Sequence, residues 1–256
     1  MLTAGLSAFA KSPPPAAVIS EFAPTGPLRA AINLGNPILA SKDPASGQPQ
    51  GVSVDLATEL ASRLALKLEL IPFSSAGQVV DAVKAGKVDV AFLAIDPLRA
   101  QEISYSAAYV VIEGAYLVRN TSPIRHNSEV DRPGNRVAVG VGSAYDLFLS
   151  REIKHATLVR APSSPAVTDL FMAQNLEVAA GVKQQLELDA KRIAGLRLLE
   201  GRFMEINQAM GTPRGRDAAA SYLRGFVETT KSSGFVAAAL LRHGIEGAAV
   251  APASQP

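Results

Sequence analysis

Short apolar runs alternate with amphipathic segments along most of the chain. Residues 28–34 and 89–95 are mostly apolar, which is typical of strands that a parallel sheet buries on both faces, and residues 54–64 have the spacing of an amphipathic helix. Strands that alternate with helices indicate an α/β fold. The same patterns predict further strands at 67–71, 110–118, 136–141, 176–182 and 203–210, and further helices at 78–85, 168–174, 184–193 and at two places from residue 218 onward.

The strands predicted at 110–118 and 203–210 divide the chain into two lobes. The first is long enough to carry the chain into a second lobe, and the other would bring it back. We therefore expect lobe 1 to comprise residues 28–112 and 211–248, and lobe 2 to comprise residues 113–210. Two crossing strands make a hinge, and the cleft between hinged lobes is where a ligand can be enclosed.

Both ends of the chain are predicted to lie outside this fold. Residues 1–27 contain a run of three prolines among small residues, which predicts an extended or disordered leader, and residues 249–256 are predicted to form a disordered tail. Ala8-Phe9-Ala10 resembles a signal-peptide cleavage site, although the charged region before it is missing and the apolar part is short. We expect either a truncated or reassigned start, which we favour, or a protein that stays in the cytoplasm.

One arginine stands where a small anion would bind. Asp96 and Pro97 follow the buried strand at 89–95 and predict a helix start, because Asp caps free N–H groups and Pro fits the first helical position. Arg99 then falls in the first turn, where a cation opposes the helix dipole. A bound anion at the carboxyl end of the strand would offset this. A surface ion pair of Arg99 with Asp96 or Glu102 explains the segment equally well.

Composition narrows the classes of function. The 256 residues are 48% hydrophobic and can bury a sizeable core, while 25 basic and 23 acidic residues give a net charge of only +2, without the basic patch of a nucleic-acid-binding protein. There is no cysteine, and His126, His155 and His243 lack metal-ligand spacing, so we predict neither a disulfide nor a metal site. No apolar stretch is long enough to span a bilayer. Few aromatic residues and no Trp argue against a carbohydrate receptor.

Several motifs occur in an order that resembles a known family. They are Gly-Val-Ser-Val-Asp-Leu-Ala at 51–57, Ala-Gly-Lys-Val-Asp at 85–89, Asp-Pro-Leu-Arg at 96–99, Tyr-Ser-Ala-Ala-Tyr at 105–109 and Val-Gly-Val-Gly-Ser-Ala at 139–144. Together they are similar to the family-3 periplasmic solute-binding proteins, the receptors of polar amino-acid ABC transporters. The resemblance runs from about residue 28 to about residue 245. It implies the type II periplasmic-binding-protein fold, in which each lobe is a mostly parallel sheet flanked by helices.

The resemblance also implies how the ligand's carboxylate is held. Arg99 occupies the position that clamps this carboxylate from lobe 1. Backbone N–H groups around Ser143 and Ala144, at a turn before a helix, would meet it from lobe 2. The implied function is capture of an amino acid or related small carboxylate and its delivery to a membrane permease. Closure around the ligand would then produce the shape that the permease recognises.

The walls of the implied pocket depart from the family's pattern. The strand before Arg99 offers Phe92 and Ala94 where small polar residues are usual. Asn36 follows the first strand where the family has an aromatic residue, and Tyr145 could supply the missing ring. These residues are expected to line the ligand.

The amine side of the implied pocket lacks its carboxylate. Val182 stands where amino-acid receptors of the family place an Asp, and burying an unpaired ammonium costs several kcal/mol. We therefore expect a carboxylate without an α-ammonium, or an ammonium that Glu113 or Asp146 meets. Alternatively, the alignment is shifted and Glu177 or Glu187 is the missing acid.

Two other classes of function remain open. Relatives of these receptors include cyclohexadienyl dehydratases, and an enzyme of that kind needs an acid in the cleft, for which Glu113, Asp146 and Glu177 are the candidates. A ligand-sensing module is the second alternative. We predict a monomeric binding protein without catalytic residues or cofactors, located in the periplasm and not bound to nucleic acid.

Overall fold

The computed structural model describes residues 13–254, and this part of the chain contains twelve strands and eight α-helices. The first half comprises α1 (Ala16–Phe22), β1 (Leu28–Asn33), β2 (Ser41–Lys42), β3 (Pro49–Gln50), α2 (Val52–Leu64), β4 (Leu68–Phe73), α3 (Ala76–Lys84), β5 (Val90–Ala94) and β6 (Ile103–Arg119). The second half comprises β7 (Arg136–Gly140), α4 (Ala144–Glu152), β8 (Thr157–Ala161), α5 (Val167–Ala173), β9 (Val178–Val182), α6 (Lys183–Arg192), β10 (Leu196–Leu198), β11 (Met204–Pro213), α7 (Asp217–Ser232), α8 (Phe235–Arg242) and β12 (Ala249–Val250).

Ten of these strands form one mixed sheet. Eight of them lie in the order β4-β1-β5-β11-β6-β9-β7-β8, and β10 and β12 pair with β6. β1 is parallel to β4 and β5, and β7 is parallel to β8 and β9. β6 and β11 pair antiparallel with each other and with the strands beside them. The sheet therefore consists of two parallel groups joined by two long antiparallel strands.

The buried side chains divide in the same way. Two apolar clusters draw their buried members only from residues 18–112 and 206–240, and two others only from residues 115–199. Below, lobe 1 means β1, β4 and β5 with α1, α2, α3, α7 and α8, and lobe 2 means β7, β8 and β9 with α4, α5 and α6. β6 and β11 pass between the two.

The packing of α2 shows how the sequence produces these layers. Its buried side chains recur every three or four residues and form one face against the sheet: Val52, Ser53, Leu56, Ala57, Leu60, Ala61 and Leu64. The helix begins after Gly51, which has a φ of 120°. It ends at Ala65, a left-handed residue whose N–H donates to the carbonyl groups of Ala61 and Ser62.

The prediction of a disordered leader is wrong for its second half. Residues 16–22 form α1, in which Phe22 is fully buried and meets Tyr222 of α7 edge-on, with ring centroids 6.1 Å apart. Arg216 also donates to the carbonyl oxygen of Glu21. The three-proline run lies before this helix, so the disorder predicted from it was extended too far along the chain. The proposed cleavage site at Ala8-Phe9-Ala10 lies outside the described residues.

The prediction of a disordered tail is also wrong for its first residues. β12 pairs antiparallel with β6, placing Ala249 opposite Val111 and Val250 opposite Val110. The next N–H, that of Ala251, donates to the carbonyl oxygen of Tyr109 at 3.1 Å. A two-residue strand has no periodicity of its own, so its sequence does not reveal this pairing.

Candidate functional site

Arg99 lies at the end of β5, but not at the start of a helix as predicted. Asp96 accepts a hydrogen bond from the N–H of Leu98, and Arg99 begins a single 3₁₀ turn that ends at Gln101. β6 starts at Ile103. Because three residues produce little dipole, the expected conflict between the cation and a helix dipole does not arise. The turn nevertheless directs the arginine towards the other lobe.

The guanidinium of Arg99 is buried without a carboxylate partner among residues 13–254. Only 3% of the residue is exposed. Nη1 donates to the carbonyl oxygen of Ala94 at 3.0 Å, Nη2 donates to that of Gly142 at 2.8 Å, and Nε has no partner. Burial lowers the pKa of Arg99, an effect that nearby Tyr105 and Asp96 oppose. A desolvated cation held only by neutral oxygens favours an anion.

The acids considered as partners of Arg99 are engaged elsewhere. Asp96 accepts from Arg151 of lobe 2 at 2.9 Å, and Glu102 lies 3.8 Å from Lys84. The structure therefore contradicts the interpretation of Arg99 as half of a surface ion pair. It also reveals a second contact between the lobes, the pair of Asp96 and Arg151.

The first turn of α4 faces Arg99 from lobe 2. Gly142 has a φ of 66°, the left-handed conformation that glycine tolerates, and its N–H donates to Asp146 at 2.8 Å. Ser143 caps the helix by accepting from the N–H of Asp146, and its own N–H donates to Gly140. The N–H of Ala144 is at the first helical position and has no acceptor within the helix. The Ser143 hydroxyl oxygen thus caps the helix as an acceptor, and its O–H can still donate.

A small cavity lies between these two groups. Its volume is about 30 Å³, which holds roughly two water molecules. None of the described residues that line it is acidic, and both lobes contribute: Asn33, Gly35, Asn36, Ala76, Leu93, Ala94, Arg99, Ser143, Ala144, Tyr145, Ser164, Val182, Ile206 and Gln208. Three polar atoms in this lining are buried without a partner, namely Arg99 Nε, Asn36 Oδ1 and the hydroxyl oxygen of Tyr145.

Most of the predicted site residues line this cavity. They are Arg99, Ser143, Ala144, Ala94, Asn36, Tyr145 and Val182. Phe92 does not, because its side chain packs in the lobe 1 core, edge-on to Tyr109 with ring centroids 6.3 Å apart. Its neighbour Leu93 lines the cavity instead.

Glu113 is also absent from the cavity. Its carboxylate accepts from Lys183 and from Arg202, each at 3.0 Å. The hydrogen bond from Lys183 has the largest effect and lowers the pKa of Glu113, and the hydrogen bond from Arg202 lowers it further. The carboxylate is therefore ionised and already neutralised by Lys183 and Arg202.

The remaining acids that were considered face away from the cavity or are bound to basic groups. Asp146 holds the N–H of Gly142 and accepts from Arg160 at 3.1 Å. Glu177 receives two hydrogen bonds of 2.9 Å from Arg136. Glu187 lines a separate groove beside α6. Among residues 13–254, no carboxylate is thus available to an ammonium in the cavity.

Gln208 is a lining residue that the sequence argument missed. It lies on β11 opposite Ala94 and is 6% exposed. A glutamine between the apolar Ile206 and Met210 on a strand of period two is an unusual polar position facing the core, and this signal was available in the sequence. Asn33, Ser164 and Ile206 line the same cavity, and they come together only when distant segments of the chain pack in the fold.

The sequence matches one family model over most of its length. The model describes the bacterial extracellular solute-binding proteins, family 3, and it matches residues 28–244. The chain belongs to this family. No curated protein matches the sequence. This family-3 solute-binding protein is nevertheless similar to many solved structures.

Three of these structures illustrate the similarity. The solute receptors for L-cysteine of Neisseria gonorrhoeae have a TM-score of 0.78 at 20% identity, covering 90% of this chain and 94% of theirs. The substrate-binding protein of an amino acid ABC transporter has a TM-score of 0.73 at 17% identity, covering 85% and 98%. The ancestral amino acid-binding protein AncCDT-1, a precursor of cyclohexadienyl dehydratase, has a TM-score of 0.74 at 19% identity, covering 88% and 98%. At these identities the structures show the fold, and they confirm the predicted two-lobed α/β class.

The described residues contain neither a membrane-spanning helix nor a cluster of metal ligands. No helix within 13–254 is long and apolar enough to cross a membrane. Across the same residues, no three side chains of His, Cys, Asp or Glu are grouped as metal ligands.

Proposed function

We propose that this family-3 protein is the substrate-binding protein of an ABC importer. It binds an amino acid or related small carboxylate between its lobes as a monomer in the periplasm, and delivers it to a membrane permease. The observation that carries the proposal is the buried guanidinium of Arg99, whose Nε has no partner in the described part of the chain. Membership of a family of extracellular solute-binding proteins supports the role and the location.

Other arginines of the chain show how Arg99 would hold a carboxylate. Arg29 binds Asp89 through Nε and Nη2, each at 2.8 Å, and Arg136 binds Glu177 through the same two nitrogens at 2.9 Å. The same two nitrogens form one edge of the Arg99 guanidinium, where Nε has no partner among the described residues and Nη2 donates to a carbonyl oxygen. A ligand carboxylate would replace the neutral oxygen of Gly142 with a charged, bidentate acceptor, which makes the stronger bond.

Closure follows from contacts that only a bound anion makes to both lobes. Arg99 would hold one end of the carboxylate, and the N–H of Ala144 at the start of α4 would face its other side. Because these contacts require both lobes, the ligand favours the closed form. The lobes already touch in this structure and the cavity holds roughly two water molecules, so the lobes must part to admit a larger ligand before they close on it.

The dehydratase alternative is weakened by the same geometry. An enzyme of that type needs an acid facing the substrate. Its three candidates are bound to basic side chains outside the cavity: Glu113 to Lys183 and Arg202, Asp146 to Arg160, and Glu177 to Arg136. Binding without chemistry is the simpler role for a cleft with this lining.

Calorimetry and thermal shift on the purified protein test the proposal. We expect a carboxylate ligand, drawn from the common amino acids and their amine-free counterparts, to raise the melting temperature, and Arg99→Ala to abolish this binding. Arg132→Ala is a matched control, because Arg132 is exposed and its one ion pair within residues 13–254 is with Glu129, three residues away. Retained binding by a folded Arg99→Ala protein would refute the assignment.

A further inference from the structure

The charge of the cavity lining is unbalanced. Arg99 contributes one buried positive charge, and no acidic side chain among the described lining residues offsets it. A bound carboxylate would neutralise the site. A zwitterion would neutralise Arg99 but would bring in a second cation, the ammonium, with no anion to receive it.

The neighbouring acids cannot turn towards such an ammonium without losing existing bonds. Asp146 uses one oxygen to hold the N–H of Gly142 and also receives Arg160. Asp96 receives the N–H of Leu98 on one oxygen and Arg151 on the other. Moving either carboxylate would break the turn or the interlobe ion pair that shapes the site.

The wall on the lobe 2 side is apolar where it approaches lobe 1. Val182 is the last residue of β9, lines the cavity and packs against the apolar core of lobe 1. Leu93 and Ile206 continue this wall. An ammonium placed here would lose its hydration without gaining charged acceptors, which disfavours it strongly.

Neutral polar atoms are available instead. Asn36 Oδ1 is buried without a donor. The hydroxyl of Tyr145 lies near Ser143, Ser164 and Gly140 without a hydrogen bond of acceptable geometry. A ligand hydroxyl could donate to Asn36 Oδ1, and a ligand hydroxyl or carbonyl oxygen could accept from Tyr145.

Resting on the proposed function, we propose that the ligand is a small carboxylate whose second polar group is a neutral hydroxyl or carbonyl, and that α-amino acids are rejected. Arg99 holds the carboxylate. The absence of an acidic side chain from the described lining and the apolar wall at Val182 select against the ammonium, while Asn36 and Tyr145 offer hydrogen bonds to the neutral group.

The test is calorimetry of the full chain with ligands that share one carbon skeleton. Each common amino acid is compared with the hydroxy acid and the oxo acid of the same skeleton, as in alanine, lactate and pyruvate. We expect the best hydroxy or oxo acid to bind at least roughly 100-fold more tightly than its amino acid, because a buried ammonium left unpaired carries a large penalty.

The outcomes separate the two proposals. An amino acid that binds within tenfold of its amine-free counterpart, and only when Arg99 is present, would overturn the ligand class and leave the binding function intact. If no member of the panel binds in an Arg99-dependent manner, both proposals are rejected. If a hydroxy or oxo acid binds as expected, the preference between the two acids identifies which neutral group the site takes.

A pair of variants tests the wall directly. In Val182→Asp a carboxylate enters the apolar wall, and we expect the ratio of amino-acid to hydroxy-acid affinity to rise at least about tenfold. Val182→Asn is the matched control, because it adds polarity of the same shape without charge, and it should leave the ratio nearly unchanged. Circular dichroism checks that both proteins are folded. An unchanged ratio in folded Val182→Asp protein would contradict the proposal.

Discussion

Replacing Asp89 with Asn should destabilise the fold by about 3 kcal/mol. Asp89 is fully buried and accepts four hydrogen bonds: the N–H, Nε and Nη2 of Arg29 at 3.1, 2.8 and 2.8 Å, and Nη1 of Arg216 at 2.7 Å. Breaking a buried ion pair costs about 3–5 kcal/mol because a charge is left unpaired. The two arginine side chains are 16% and 19% exposed, so some hydration persists and the lower end of this range applies.

Urea unfolding followed by circular dichroism measures this loss, with Asp169→Asn as the control. Asp169 is 69% exposed and, among the residues that the structure describes, pairs only with Arg192, so its replacement should change the free energy of unfolding by less than about 0.5 kcal/mol. A loss below about 1 kcal/mol for Asp89→Asn would refute the reasoning, because it would show that the two arginines do not depend on this carboxylate.

The pH dependence of stability provides a second test of the same prediction. Burial raises the pKa of Asp89, but the hydrogen bonds from Arg29 and Arg216 outweigh it and leave the pKa below its ordinary value. A carboxyl with a lowered folded pKa contributes stability above its unfolded pKa of about 4, and loses it as the pH falls through the folded value. The difference between the wild type and Asp89→Asn should therefore be full at neutral pH and should shrink below about pH 4.

Three further predictions concern the cavity and the lobes. Tyr145→Phe should leave the ligand-free stability unchanged or slightly higher, because the buried hydroxyl has no partner, but should weaken a hydroxy- or oxo-acid ligand roughly tenfold in calorimetry; a loss of stability would show that the hydroxyl is bonded. Gly51→Ala should reduce the free energy of unfolding by more than about 1 kcal/mol and therefore lower the melting temperature, because φ is 120° and a Cβ would stand 3.0 Å from the Cα of Ala40. An unchanged melting temperature would contradict this. Arg151→Ala should shift the ligand-free protein towards a larger radius of gyration in X-ray scattering, since it removes the 2.9 Å contact to Asp96, and an unchanged radius would mean that the pair does not hold the lobes together.

Regular elements were predictable because their residues repeat with the period of the element. The strand expected at 28–34 is β1, and the helix expected at 54–64 is α2. Phe92 was expected in the cavity but packs in the core, because β5 is buried at every position and its sequence does not show which residues meet the cleft. That choice depends on β11 pairing beside β5 from more than 100 residues away.

Contacts between distant segments account for the other errors. The helix expected after Asp96 is a single turn, because β6 begins at Ile103 and pairs with β11. Glu113 was a candidate on the basis of its place in the chain, but Arg202 folds back onto it from a separation of 89 residues. The place of Arg99 in the cavity was predictable because the residue belongs to a sequence motif, yet only the structure shows that Gly142 of the other lobe supplies its acceptor.

The order of strands in the sheet has a consequence for the time course of synthesis. β11 lies between β5 and β6, although it is made after all of lobe 2, so β5 and β6 have no common neighbour until residue 213 has left the ribosome. The apolar clusters of lobe 2 are built from one continuous stretch, whereas α7 and α8 complete lobe 1 only near the end of the chain. We expect lobe 2 to be able to fold on the nascent chain while lobe 1 waits, since long-range pairing is slow and depends on distant segments. The cleft, which needs both lobes, would then be the last part of the molecule to form.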